Sequence, residues 1–313
     1  MRKFTTHLLT FILVLLTILA AFLLLQRYCG NFKVNENSSI LIVGHSHPEC
    51  AFNDSLIGGV KNYAASGESY FYTYFKTKKI IEENPEMTTV LIEFSNNQIR
   101  VAKDDWIWNE EYILNRLPKY GAYMDFEAYR LLFTKNPKGL MNAMPGLFKY
   151  SLNQAFGGYK IQEDIGGYLY LERNKTDSLV ASINQNPDPE NSSNAISAYN
   201  LKYLQKLIDY LTSLNKRVFL IRSPLHDLYE GYSNEEQFQE LRKTDFSGIE
   251  FLDFSKFALE NSEFGDLEHL NYKGARKFSL WFNQLLLEGL LEKNEKQDFI
   301  NASIELAKKQ SDI

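Results

Sequence analysis

Residues 8–25 form an apolar run of 18 residues interrupted only by Thr10 and Thr17, with Arg2 and Lys3 ahead of it. Such a run reads as a membrane-spanning helix and makes the rest of the chain a body tethered at one end. A cleaved signal peptide would have a shorter apolar core, roughly 7–15 residues, and a small-residue exit. Here Ala20-Ala21 lead back into Phe22-Leu23-Leu24-Leu25, so an uncleaved anchor over residues 1–30 is expected. Gln26-Arg27-Tyr28-Cys29 lacks the small residues that precede a lipoprotein cysteine. The short basic tail favours a cytoplasmic amino terminus against the opposing Arg27 and Lys33. The body is then expected on the outer face, in the periplasm or cell wall of a bacterium.

At 44% apolar and 14% aromatic residues the remainder is a folding globular chain, long enough for one large α/β domain. A net charge of −5 without any basic stripe argues against a nucleic-acid partner. The two cysteines, Cys29 and Cys50, imply no disulfide framework and do not fix the redox compartment.

Residues 39–44 are an apolar run ending in glycine and read as a strand buried on both faces. A weaker element over 56–63 follows, then a small-residue turn at 64–69 feeding a helix to about residue 83. Residues 88–94 are a second clear strand. From about 100 to 194 the periodicity breaks into aromatic and glycine-rich pieces, including Gly157-Gly158-Tyr159 and Gly166-Gly167-Tyr168. This region reads either as an insertion over the site or as connecting helices and loops packed by tyrosines. A helix over 197–214, strands at 217–221 and 249–252, a short helix at 238–242 and a long one over 272–291 complete the pattern. Residues 294–313 are expected to form a charged, solvated helix or tail.

Strands alternating with helices predict an α/β three-layer sandwich with a mainly parallel, flavodoxin-like sheet over residues 31–293, preceded by one transmembrane helix. Ligands in such sheets sit at the carboxyl ends of strands, and the polar clusters after Val43, Phe94 and Ile221 fall there. Ser46 follows the first strand. Asp266 and His269 stand three apart just before the last long helix, a spacing that lets one loop supply a base and the carboxylate orienting it.

Four separated segments resemble the SGNH (GDSL-like) hydrolases: Gly44-His45-Ser46, Asn62-Tyr63-Ala64-Ala65-Ser66-Gly67, Phe94-Ser95-Asn96-Asn97, and Asp266-Leu267-Glu268-His269 with Asn271 and Gly274. The resemblance implies Ser46 as nucleophile, His269 as general base and then acid, and Asp266 as its orienting group. It also implies an oxyanion site made by the Ser46 and Gly67 N–H groups and the Asn96 amide. His45 replaces the family's aspartate and Phe94 its usual glycine, so Asn97 is the alternative to Asn96. An amino-terminal anchor with a degenerate first block is most similar to the branch that holds the alginate O-acetylation and teichoic-acid D-alanyl-transfer proteins. That implies an acyl-ester hydrolase or O-acyltransferase, with no cofactor, acting on a cell-envelope polysaccharide or lipid-linked acyl substrate. A multi-pass membrane acyltransferase is the implied partner.

Other readings stand beside these. Ser46, Gly67, Asn96 and Asn97 are also ordinary cap and turn residues. His45, His47 and Cys50 have the look of a zinc site, but no second cluster completes the ligand set, so no metal is expected. His47, His226 and Asn97 are candidate substrate contacts, and Glu93 is a pocket residue or half of an ion pair. Trp106, Trp108, Tyr112, Tyr168 and Tyr170 suit sugar stacking or a core. The same fold without catalysis would be an envelope module binding glycan or a partner acyltransferase.

Overall fold

The computed structural model describes residues 2–34, 38–157, 164–185 and 195–311. Two compact units are formed, Met1–Lys33 with Ile107–Asp164, and Val34–Trp106 with Ile165–Ile313. Strands β1 (Ile40–Val43), β2 (Val60–Asn62), β3 (Thr89–Glu93), β4 (Arg217–Arg222) and β5 (Glu250–Asp253) build the second unit's sheet. Helices α1 (Arg2–Cys29), α2 (Ser46–Ala51), α3 (Tyr70–Glu83), α4 (Asp105–Trp108), α5 (Glu110–Tyr120) and α6 (Phe126–Lys135) fall in the first half. Then come α7 (Pro137–Phe156), α8 (Thr176–Gln185), α9 (Ala198–Ser213), α10 (Glu235–Lys243), α11 (Tyr272–Leu287) and α12 (Lys296–Ser311).

The sheet order is β2-β1-β3-β4-β5 and every pairing is parallel, so the α/β expectation holds. Parallel strands need crossovers and are covered on both faces, which is why β3 is buried along its whole length. Ile42, Leu91, Phe219, Ile221 and Leu252 face one layer with Phe278 and Phe282 of α11 and with Phe52. Their alternating neighbours Leu41, Val43, Val90, Ile92 and Leu220, also buried, point the other way. There α9 meets β4 and packs on α3, Tyr203 lying 4.7 Å from Phe71.

Two expectations are corrected. The helix over the last residues is not merely solvated, because α12 puts Ile300 and Ile304 into the sheet's core cluster. The inserted region is not one block over 100–194. Its helical part, residues 107–164, forms a unit with α1, where α7 packs on both α1 and α5 and Phe22 meets Phe148 at 4.8 Å. The part from Ile165 returns to the α/β unit as an extended strap, whose Gly167 N–H donates to Ala64 O (3.0 Å) and Leu169 N–H to Glu49 O (2.9 Å). Gly158 and Tyr159 lie outside the described residues.

Helix α1 is long and apolar enough to cross a membrane over Lys3–Tyr28. The Thr10 and Thr17 hydroxyls donate to the carbonyls of Thr6 and Leu13, at 2.9 and 2.8 Å. Each polar group in the run is thus satisfied within the helix, as a water-free surrounding requires.

Candidate active site

β1 ends at Gly44, whose φ is 151° and where a Cβ would stand 2.5 Å from the Cβ of Glu93. Only glycine lets the chain turn that close to β3. His45 then caps α2, its Nδ1 accepting from His47 N–H at 3.5 Å, while its Nε2 meets Ser95 Oγ at 2.7 Å. The Ser95 hydroxyl donates onward to Asn97 Oδ1 at 2.8 Å, which assigns the proton of a neutral His45 to Nε2. Burial, reinforced by the charges of His47, His269 and Lys103, holds the His45 pKa well below the usual range. This fixed, buried imidazole sets Ser46 as the first residue of α2, at the β1/β3 switch point of the sheet order.

The loop before α11 is built by its own polar groups. Asp266 Oδ1 accepts from the Glu268 and His269 N–H groups at 2.8 and 2.9 Å, and Gly265 N–H donates to His269 O at 2.7 Å. Asn271 caps α11 through Lys273 and Gly274 N–H and donates back to the Ser262 and Phe264 carbonyls. The result aims the His269 ring. Its Nδ1 lies 2.8 Å from Asp266 Oδ1 and its Nε2 2.7 Å from Ser46 Oγ. A proton on Nδ1, held by the carboxylate, leaves Nε2 free to accept from the serine. Burial alone would raise the Asp266 pKa; hydrogen bonds from His269 and the Glu268 N–H and the charge of Arg173 outweigh it and hold it at about 2.

Sequence reasoning missed Arg173 entirely. It sits on the strap, hydrogen-bonded to Asp266 Oδ2 and 3.3 Å from His269 Nδ1, and no local motif marks it 93 residues from the acid it touches. The layer under the serine joins two residues that the sequence offered separately, His47 as a substrate contact and Glu93 as a pocket residue or half of an ion pair. His47 is fully buried, its Nε2 3.4 Å from Glu268 Oε2 and its Nδ1 3.7 Å from Glu93 Oε1. Burial would lower its pKa, but the two carboxylates outweigh this and raise it. Glu93 is anchored from β4, accepting from the Ser223 hydroxyl at 2.7 Å and from the Ser223 N–H. Glu93 is thus fully buried and paired with His47, the ion-pair alternative.

Ligating atoms of His47, Glu268 and His269 lie within 4.8 Å of one another, as do those of His45, His47 and Glu93. The first set has carboxylates behind both imidazoles, as metal-bound histidines usually do, so it can accept a divalent ion. Cys50 belongs to neither set; it is buried, its thiol pushed up to about 12, which corrects the His45-His47-Cys50 zinc alternative.

The remaining candidates divide. Among the described residues no hydrogen bond uses the N–H of Ser46 or Gly67. Gly67, at φ 64°, lies on a loop held to the end of β1 by Ala65 N–H donating to Gly44 O at 3.0 Å. Asn96 does not serve that site. Its amide donates to Glu235 Oε2 at 2.7 Å and its carbonyl accepts from Arg222 at 3.2 Å, because the buried Arg222 gathers Asn96 and the partly buried Glu235 and Asp253 into one cluster. Asn97 is engaged through Ser95 and so positions His45. His226 is tied to Asn261 Oδ1 at 3.0 Å and lines a separate cavity of about 300 Å³ with Lys256, Phe257 and Phe264, lacking Ser46 and His269. Trp106 lies 5.9 Å from the His45 ring, Tyr168 packs on the core cluster, and Tyr170 stacks on Tyr272 at 4.9 Å. Trp108 and Tyr112 fall in the α1 unit.

A model of an uncharacterised protein family matches residues 170–291. The match takes in Arg173, Asp266 and His269 but not Ser46. No curated protein matches the chain.

Proposed function

We propose that the protein is a serine-dependent acyl-ester hydrolase or O-acyltransferase of SGNH type, held to the membrane by α1 with its site on the outer side. The observation that carries this reading is the unbroken series Asp266, His269, Ser46, joined at 2.8 and 2.7 Å. In it His269 Nε2 takes the Ser46 proton as Oγ bonds to an ester carbonyl carbon. The resulting oxyanion is met by the Ser46 and Gly67 N–H groups. Collapse expels the alcohol, which receives the proton from His269, and leaves an acyl-serine. Water or a sugar hydroxyl then gives its proton to His269 and attacks the acyl carbon, and as the bond to Ser46 Oγ breaks His269 returns the proton to the serine. An envelope polysaccharide or a lipid-linked acyl donor suits a tethered enzyme, and a multi-pass acyltransferase is the partner to seek.

Labelling the detergent-solubilised full chain with a fluorophosphonate, beside p-nitrophenyl acetate hydrolysis, tests the reading. Labelling should require Ser46 and His269 and survive chelator, and zinc that captures His269 should suppress it. Loss on chelation with survival of Ser46→Ala would establish metal chemistry at His47, Glu268 and His269 instead. No labelling and no turnover would favour a binding module.

A further inference from the structure

The unit formed by α1 and residues 107–164 exposes apolar side chains that a water-facing domain would bury. On α7, Met141 is 63%, Leu152 42% and Phe156 83% exposed. Their position relative to α1 gives this surface a specific occupant. Phe148, midway along α7, packs on Phe22, and Phe22 lies within the apolar run of α1, only three residues before its end at Leu25. Met141 and Leu152 stand seven residues before and four after Phe148, so at 3.6 residues per turn they share its side of α7. Phe156 follows one turn further round, with Lys138 and Lys149, both exposed, along the polar edge of the stripe.

We propose that this face of α7 lies in the bilayer surface, its apolar stripe in the acyl boundary and Lys138 and Lys149 at anionic head groups. The stripe continues the lipid-facing surface of α1, whose Leu16 and Leu24 are 55% and 53% exposed. Three residues of helix place Phe22 about 4.5 Å inside the end of the run. That is close to the shallow limit of the roughly 5–10 Å to which interfacial amphipathic helices bury their apolar faces. Gln26, at the end of α1, is held by polar groups of the same unit, donating to Pro118 O at 2.5 Å and accepting on its carbonyl from the Tyr123 hydroxyl at 3.1 Å. The helical unit is thereby fastened where the span leaves the lipid. The proposal goes beyond the catalytic reading and rests on α1 as a membrane span.

Spin labels at Leu152→Cys and Phe156→Cys, in the full chain with Cys29→Ala, test it in vesicles of phosphatidylethanolamine with a minority of phosphatidylglycerol. Leu15→Cys, within the span, and Leu287→Cys, 75% exposed on the other unit, are the references. Labels at 152 and 156 should collide more with lipid-soluble oxygen than with a water-soluble nickel chelate, as at 15, while 287 shows the reverse. Chelate-dominated signals at 152 and 156 beside a lipid-like signal at 15 would overturn the proposal alone. Shielding from both reagents would assign the face to a protein partner, and an aqueous signal at 15 would overturn the span as well.

Discussion

Arg173 and His269 share one carboxylate: the guanidinium binds Oδ2 of Asp266 while the imidazole binds Oδ1. Asp266 is therefore depressed by two partners that approach from unrelated parts of the chain. A carboxyl group with a lowered folded pKa stabilises the fold above its unfolded value, near 3.8, and loses that contribution as pH falls toward about 2. Arg173→Ala should lower stability at pH 6 by no more than about 1 kcal/mol, because the side chain is 42% exposed and screened. The deficit should shrink as pH falls through about 2. Thermal unfolding of parent and variant across that range checks it, and a deficit that persists in acid would mean that Arg173 acts by packing.

Asp266→Asn separates orientation from folding. Asparagine can still accept from the loop N–H groups through its carbonyl, but its amide favours the wrong tautomer of His269 and carries no charge to stabilise the imidazolium. Turnover of p-nitrophenyl acetate by the folded fraction should fall about 10³–10⁴-fold, while the unfolding temperature drops modestly at pH 6 with the loss of the Asp266 charge. A loss below tenfold would remove Asp266 from the catalytic series.

For Asn96 the expectation is the opposite pattern. Because its side chain bridges Glu235 and Arg222, Asn96→Ala should leave the buried Arg222 guanidinium and the partly buried Glu235 each one partner short. The cost is about 1–3 kcal/mol of stability. An oxyanion donor would instead lose roughly 10²–10³-fold in kcat. Measuring kcat on the folded fraction, alongside the unfolding midpoint, decides between them.

The parallel sheet was legible because each strand is a short apolar run closed by a polar cluster, and Ser46, Asp266 and His269 because their loops carry local signatures. Other features were not, for identifiable reasons. Asn96 follows a strand at the expected place, yet the sequence gives no sign that Arg222, on the neighbouring strand, will claim its amide. Arg173 reaches the site through a strap with neither helical nor strand periodicity. Ile300 and Ile304 stand in a segment rich in charged residues, so the pattern reads as solvated until α12 packs beside β5 and joins the core cluster. The helical unit was hidden because α5 and α7 each carry an internal proline, Pro118 and Pro145, which breaks the periodic reading without breaking the helix.

His47 provides the sharpest test of the layer beneath the serine. Its ring is fully buried between Glu93 and Glu268 with a raised pKa, so the fold binds its proton more tightly than the unfolded chain does. Such a histidine contributes its full stabilisation below the unfolded value of about 6.5 and loses it as pH rises through the folded value. His47→Gln keeps a polar group beside Glu268 but carries no charge at any pH. The variant should therefore be clearly less stable than the parent at pH 6, and the gap should be smaller at pH 9, because the parent loses this contribution as pH rises through the raised folded value. Thermal unfolding in detergent at the two pH values measures this directly. An equal gap at both would mean that His47 is neutral in the folded protein and that the Glu93–Glu268 pair is held apart by other groups.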